Sequence, residues 1–326
     1  MKRVVRGIGM LVIALAVLAG VGAAYVRFAL PKVGKAPELA IAASPALTAR
    51  GEYLAQHVAV CTDCHSDRDW SSFAGPLKPG TLGRGGEVFG HALGLPGELV
   101  APNITPAAIG GWSDGEVARA ITEGVTPDGR ALFPFMNYPG YAQLCRDDLR
   151  ALVSYLRTLP AIEHQPSRTQ LDFPLNLLVR TFPKPAAISD KCPDRSDSVA
   201  YGKYLVTLAS CADCHTKHDH GAPVAGQELA GGMRFPLPSG YVAHSANITP
   251  DAETGIGRWS KEAFVARFAM FRNPAVLHPV SGNAVNTPMP WQLFAGMDDA
   301  DLGAIYDYLR TQKPVKTQKV ESLATR

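Results

Sequence analysis

The chain has 326 residues, enough for about two domains of roughly 100–200 residues each, with 32 basic and 29 acidic side chains. Hydrophobic residues make up 46% and charged residues 19%, and mean hydropathy is +0.00, which excludes a mostly disordered chain and a multi-span membrane protein. Four of the basic residues, Lys2, Arg3, Arg6 and Arg27, flank one apolar run, and without them the net charge of +3 disappears, leaving no basic surface for nucleic acid.

That run comes first along the chain. Met1-Lys-Arg-Val-Val-Arg6 precedes an uncharged stretch from Gly7 to Val26, and about 20 residues of helix span roughly 30 Å, the thickness of a bilayer core. Positive charge ahead of the stretch directs the N-terminus to the cytoplasm and the remainder outside. We read residues 1–30 as a transmembrane anchor. The alternative is a cleaved signal peptide with Val21-Gly22-Ala23 at the cleavage site, although an h-region runs only about 7–15 residues. Residues 31–47, rich in Pro and Ala, are expected to form a tether.

Two identical devices follow. Cys61-Thr-Asp-Cys64-His65 returns as Cys211-Ala-Asp-Cys214-His215. On a helix, positions i, i+3 and i+4 share one face. Two thiols so placed can form thioethers with one porphyrin while the adjacent imidazole reaches its iron. Spacing C-x-x-C-H is therefore the attachment signature of haem c, and two copies predict two covalent haems. A thioredoxin-like dithiol does not require the histidine, and a zinc site would need both pairs to converge.

The repeat extends beyond the motif. Gly51-Glu-Tyr53-Leu54 matches Gly202-Lys-Tyr204-Leu205, and Gly85-Gly86 matches Gly231-Gly232. Asn103-Ile-Thr-Pro106 matches Asn247-Ile-Thr-Pro250, and Gly111-Trp112-Ser113 matches Arg258-Trp259-Ser260. Each half closes with Tyr-Leu-Arg-Thr, at 155–158 and 308–311. Near-constant offsets indicate a duplication. Ser113 and Glu116 form a capping-box pattern opening a helix through Glu123. Leu149, Leu152, Val153 and Leu156 mark one helical face stopped by Pro160, and Leu302, Ile305, Tyr306 and Leu309 repeat it before Pro314. The predicted fold is all-α: cytochrome c domains at 48–160 and 198–314, a linker at 161–197 and a tail at 315–326.

His65 and His215 supply one axial ligand each, so the opposite face of each iron decides the chemistry. Met136 and Met289 stand 71 and 74 residues after their histidines, in Pro-rich loops ahead of each last helix. That matched placement makes them the expected sixth ligands, with core packing the rival role. Met233, Met270 and Met297 have no counterparts and are expected to pack. His218 and His220 read as a solvated loop, and His57 as a hydrogen-bonded or propionate-side residue. Trp112 and Trp259 suit either propionate hydrogen bonding or packing. Cys145 and Cys192 are either a disulfide or two buried thiols.

The run Asn-Ile-Thr-Pro, Gly-x-Trp-Ser, Met-Pro-aromatic and Tyr-Leu-Arg resembles the cytochrome c subunits of bacterial membrane-bound alcohol, aldehyde and gluconate dehydrogenases. The segment Phe173-Pro-Leu-Asn-Leu-Leu-Val-Arg180 is similar to the one joining their first two haem domains. The resemblance covers about residues 48–312. It implies class I cytochrome c folds, His/Met-ligated haems with Met136 and Met289 as axial ligands, and electron passage from a periplasmic dehydrogenase toward quinone or a terminal oxidase. The chain departs from that pattern twice. It has two C-x-x-C-H sites where those subunits have three, and Met136-Asn137-Tyr138 replaces Met-Pro-aromatic in the first half.

The leading expectation is a dihaem electron carrier rather than an enzyme, anchored in the bacterial cytoplasmic membrane with its haem domains in the periplasm. The competing one is a dihaem enzyme of peroxidase or thiosulfate-oxidising type with one open haem. A haem lacking Met, with a distal His, Glu or Cys instead, would distinguish them.

Overall fold

The computed structural model describes residues 2–219 and 221–318; His220 and most of the tail lie outside the described residues. Helix α1 (Lys2–Ala29) has no buried residue. It is long and apolar enough to cross a membrane, the one such helix among the described residues, and fits a membrane anchor.

The stretch after α1 is not the free tether its composition suggests. Leu39 and Ile41 pack against the core, and the Ile41 N–H donates to Asp114 Oδ2 at 3.3 Å. Its apolar side chains gain more from that contact than extension in water would give them. Helix α2 (Pro45–Tyr53) follows, capped by Ser44, whose Oγ accepts from the Leu47 N–H at 3.2 Å. A single π-turn over Leu54–Val58 leads to α3 (Cys61–Cys64).

Strands β1 (Val88–Phe89) and β2 (Gly97–Val100) pair antiparallel, Val88 opposite Val100. Next come α4 (Pro106–Ile109), α5 (Asp114–Glu123), α6 (Tyr138–Tyr141) and α7 (Arg146–Leu156). The capping box of α5 is formed in both directions, Ser113 with Glu116. In the linker, β3 (Gln170–Leu171) adds antiparallel to β2 and is followed by α8 (Leu175–Leu178). A Cys145–Cys192 disulfide closes the linker onto the start of α7.

The second half runs α9 (Ser198–Leu208), α10 (Cys211–His215), the pair β4 (His218–Asp219) and β5 (Ala222–Pro223), the pair β6 (Arg234–Pro236) and β7 (Val242–His244), α11 (Lys261–Ala269), α12 (Trp291–Ala295) and α13 (Asp299–Arg310). Helix dominates, but three small antiparallel sheets among the described residues modify the all-α expectation. Long Gly/Pro-rich loops carry backbone groups that need partners, and short ladders supply them.

The same helix crossing occurs twice. Helix α2 packs on α7 and α9 on α13. A Cβ on Gly51 would lie 1.9 Å from Ala151 O, and one on Gly202 would lie 1.9 Å from Ala304 O. Any side chain at either position forces the helices apart. Leu54, Leu152, Leu205 and Leu302, all 2% exposed or less, belong to one continuous core across both halves. Truncating one of them to Ala costs about 2–5 kcal/mol.

The π-turn has a simple origin. Cys61 comes seven positions after Leu54, whereas Cys211 comes six after Leu205. The extra residue is absorbed by widening one turn: Ala59 N–H reaches Leu54 O at 2.7 Å, five residues back, while Ala209 N–H reaches Leu205 O at 2.8 Å, four back.

Candidate functional site: two cysteine and histidine clusters

Each Cys-x-x-Cys-His helix opens from a residue in the left-handed region, Val60 (φ 42°) and Ser210 (φ 55°). None of the four motif cysteines is in a disulfide. Burial pushes the Cys61 and Cys211 thiols up to about 12. It also raises Cys64, with the Asp63 carboxylate adding to it and Arg68 opposing it. The two motifs do not merge into a metal cage. Among the described residues, the only cluster of three or more His, Cys, Asp or Glu close enough to share an ion is Cys145, Asp148 and Cys192, and its sulfurs are bonded to each other. The zinc alternative finds no support.

The two histidines are held by the same bond. His65 Nδ1 lies 2.7 Å from Pro102 O and His215 Nδ1 lies 2.7 Å from Ala246 O. A carbonyl can only accept, so Nδ1 carries the proton and Nε2 keeps its lone pair for a ligand. Burial lowers the pKa of each imidazole, partly offset by that hydrogen bond, which favours the neutral, ligating form.

The loops that carry these carbonyls are fixed by a matched set of bonds. Gly85 N–H donates to His65 O at 2.8 Å and Gly231 N–H to His215 O at 2.6 Å. In each Asn-Ile-Thr-Pro, the Asn Oδ1 accepts from the Thr backbone N–H, 2.8 Å at Asn103 and 2.9 Å at Asn247. Their amides then donate to the chain beyond each last helix, Asn103 to Ile162 O at 2.8 Å and Asn247 to Val315 O at 2.7 Å. Asn is required because one side chain must both accept and donate. This explains the repeated motif: it locks the histidine's acceptor loop to the end of the domain.

Met136 and Met289 pack, half-buried, against the core that also receives Cys61 and Cys211. Their loops repeat too: Met136 O accepts from Tyr138 N–H at 2.6 Å and Met289 O from Trp291 N–H at 2.8 Å. Tyr138 and Trp291 are sites that sequence reasoning missed. Their Oη and Nε1 are buried without a hydrogen-bond partner among the described residues. Orphaned donors at equivalent positions, two residues past each Met, indicate an acceptor that the protein itself does not supply.

Each Met loop is braced by the opposite half. Asn137 Nδ2 donates to Thr207 O (3.1 Å) and Ser210 Oγ (2.6 Å), just ahead of Cys211. The buried Arg68, three residues past His65, donates to Pro288 O at 3.1 Å, immediately before Met289. His57, in the π-turn, hydrogen-bonds Leu293 O at 2.8 Å, so its partner is across the interface. His218 bonds Thr216 O at 2.9 Å. Trp112 and Trp259 pack against the core. Met297 is buried as expected and Met233 half-buried, but Met270 is 44% exposed rather than packed, because it sits at the end of α11 beside Arg267.

What haem c requires of a protein is present in each half: two thiols one helical turn apart, a neutral imidazole with Nε2 free, and an unmatched buried donor two residues past the Met. Residues 199–313 match the cytochrome c family, which implies covalently bound haem c. A fructose dehydrogenase cytochrome subunit from Gluconobacter japonicus is 28% identical over 310 residues, 88% of this chain and 57% of its own length. The cytochrome c subunit of a quinone alcohol dehydrogenase from Gluconacetobacter polyoxogenes is 27% identical over 289 residues, with 84% and 57% covered. A dihaem c-type cytochrome from Cereibacter sphaeroides is 30% identical over 203 residues, 58% of this chain and 63% of that one. This chain thus spans less than two thirds of the length of these relatives.

Proposed function

From this cytochrome c domain and homology to dehydrogenase cytochrome subunits, we propose that the chain is a membrane-anchored dihaem cytochrome c that carries single electrons. Residues 48–160 and 198–314 each form one haem domain. Cys61, Cys64 and His65 hold the first haem, with Met136 as sixth ligand; Cys211, Cys214 and His215 hold the second, with Met289. Bound in these sites, haem iron supplies one-electron chemistry. The protein's part is to fix its surroundings. Pro102 and Ala246 orient the imidazoles and leave Nε2 as the atom that would bind iron. Met136 and Met289 would supply the sixth ligands, and Tyr138 and Trp291 hold unpartnered donors that could serve the group.

Electrons enter from a periplasmic dehydrogenase and leave toward quinone or a terminal oxidase, with α1 in the cytoplasmic membrane and both haem domains in the periplasm. The carrying observation is the duplicated His Nδ1–carbonyl bond with its Asn-Ile-Thr-Pro brace, since the same histidine setting in both halves supports two haem sites rather than one. Expression with haem-maturation machinery should give a chain whose intact mass contains two added haems, resistant to acid acetone. Cys64→Ala and Cys214→Ala should each halve the haem absorbance. One haem in the parent chain, or tight carbon monoxide binding by the reduced protein, would replace the carrier by the one-open-haem enzyme.

A further inference from the structure

We propose that the linker segment 173–182 is a second membrane contact, lying at the bilayer–water boundary where α1 emerges; this rests on the reading of α1 as an anchor. The last carbonyls of a helix lack helical partners. At the end of α1 the linker supplies one: Arg180 donates to Val26 O at 3.1 Å through Nε and to Leu30 O through Nη2. A guanidinium there also complements the negative end of the helix. Helix α8 contacts α1 directly. The linker is therefore fixed at the level where α1 leaves the apolar phase.

The surface at that level has the chemistry of a lipid headgroup boundary. Phe28 is 81% exposed, Phe173 82%, Tyr25 50% and Leu178 38%. Two cations lie over these rings, Arg27 5.5 Å from the Phe28 centroid and Lys32 5.2 Å from that of Tyr25. Aromatic rings interleaved with snorkelling cations are what the interface between hydrocarbon and water selects. A Phe left 82% in water forgoes most of the gain of burying an aromatic ring, and the apolar phase occupied by α1 is continuous with it. The occupant is thus lipid, and the segment holds the first Cys-x-x-Cys-His half at a set height and tilt over the bilayer.

With the motif cysteines in thioethers and Cys145 bonded to Cys192, a substituted cysteine is the sole free thiol of the full-length haem-loaded chain. Nitroxide labels at Phe173→Cys, Leu178→Cys, Val17→Cys and Lys313→Cys should be compared in phosphatidylcholine–phosphatidylglycerol vesicles by collision with oxygen and with a water-soluble nickel chelate. Labels at 17, 173 and 178 should favour oxygen, with 17 the deepest, and the label at 313 should favour nickel. If 17 favours oxygen while 173 and 178 favour nickel, the contact is refuted and the anchor stands. If 17 also favours nickel, the anchor itself fails. Labels at 173 and 178 shielded from both reagents would point to a protein partner or second copy, and would overturn the lipid assignment.

Discussion

The two halves hold their histidines through the same bonds but brace their methionine loops by different ones. In the first half, Asn137 stands where the second half has Pro290, and it both caps α6, accepting from Gly140 N–H at 3.0 Å, and hooks the turn ahead of Cys211. In the second half the hook is Asn286, three residues before Met289, whose Oδ1 accepts from the Ala74 N–H of the other half at 2.8 Å. The loop also leans on Arg68, which belongs to the other half and makes bonds to Gly75 O, Ala74 O, Asp63 and Pro288 O. The repeat thus keeps the bonds around the two histidines and differs in the bonds that join the halves. Each Met loop is braced by the opposite half, so neither loop is independent of its neighbour.

Arg68→Ala should have the largest effect and the most one-sided. Its side chain is 6% exposed and its partner Asp63 13%, so removal leaves a buried carboxylate and three carbonyls without donors. The expected loss is about 3–5 kcal/mol, read by denaturant unfolding. The far-red Met-to-iron band should lose the Met289 contribution and keep that of Met136. Equal loss at both sites would show that Arg68 acts on global stability and not on the Met289 loop.

Breaking the disulfide tests the same asymmetry from the other side, since Asp298 occupies the position equivalent to Cys145. The bridge closes a span of 47 residues, for which chain-entropy reasoning gives about 4 kcal/mol at most and about 2–4 in practice. Cys145→Ser with Cys192→Ser should lower the midpoint by that amount and increase hydrogen exchange in the linker, leaving α11 and α13 protected. Uniform loosening of both halves would contradict a linker-confined role.

Much of this was legible in the sequence, for identifiable reasons. The Cys-x-x-Cys-His helices, the capping box at Ser113 and the faces of α7 and α13 rest on local spacing, and local spacing survives folding. The seven strands among the described residues have only two to four residues each, too few to show a two-residue period. Pro102 and Ala246 act through a carbonyl that every residue possesses, so no side-chain pattern could mark them. Arg68 and Pro288 are 220 residues apart. Other features left signals that were available. The one-residue mismatch between Leu54 and Cys61 foretold the π-turn, the equal spacing of Tyr138 and Trp291 from their methionines marked them as a pair, and Leu39 and Ile41 argued against a free tether.

Asn137→Ala should come next in size. It removes a helix cap worth about 1 kcal/mol and two cross-half hydrogen bonds of about 1 kcal/mol each, a total of about 2–3. The Met136 band should shift or weaken while that of Met289 stays. Asn137→Pro, which copies the second half, should lose the hooks yet keep the turn, so its ligand band should suffer less than that of the Ala variant. If Ala and Pro behave alike, the bonds to Thr207 and Ser210 matter and the turn does not.

The smallest effect concerns the most symmetric contact. Tyr53 donates to Asp301 at 2.7 Å and accepts from Asp298 N–H at 3.1 Å; Tyr204 donates to Asp148 at 2.8 Å and accepts from Cys145 N–H at 3.3 Å. Each tyrosine thus reaches into the last helix of the opposite half. The carboxylates keep other donors, Asp148 two bonds from Arg50 at 2.9 Å and Asp301 bonds from Arg195 at 2.5 Å and Tyr201 at 3.2 Å. Tyr53→Phe and Tyr204→Phe should therefore cost only about 1.5 kcal/mol each. Burial foremost, and next the carboxylate partners, raise both phenols above the ordinary value of 10.0. The folded chain holds these protons more tightly than the unfolded one, so their contribution is complete below about pH 10 and declines as pH rises past it. Urea midpoints taken from about pH 8 to 11 should fall for the parent, and less steeply for each Phe variant by a similar amount. A flatter slope in only one of them would show that the exchanged tyrosines, though alike in geometry, have diverged in energy as the methionine braces have.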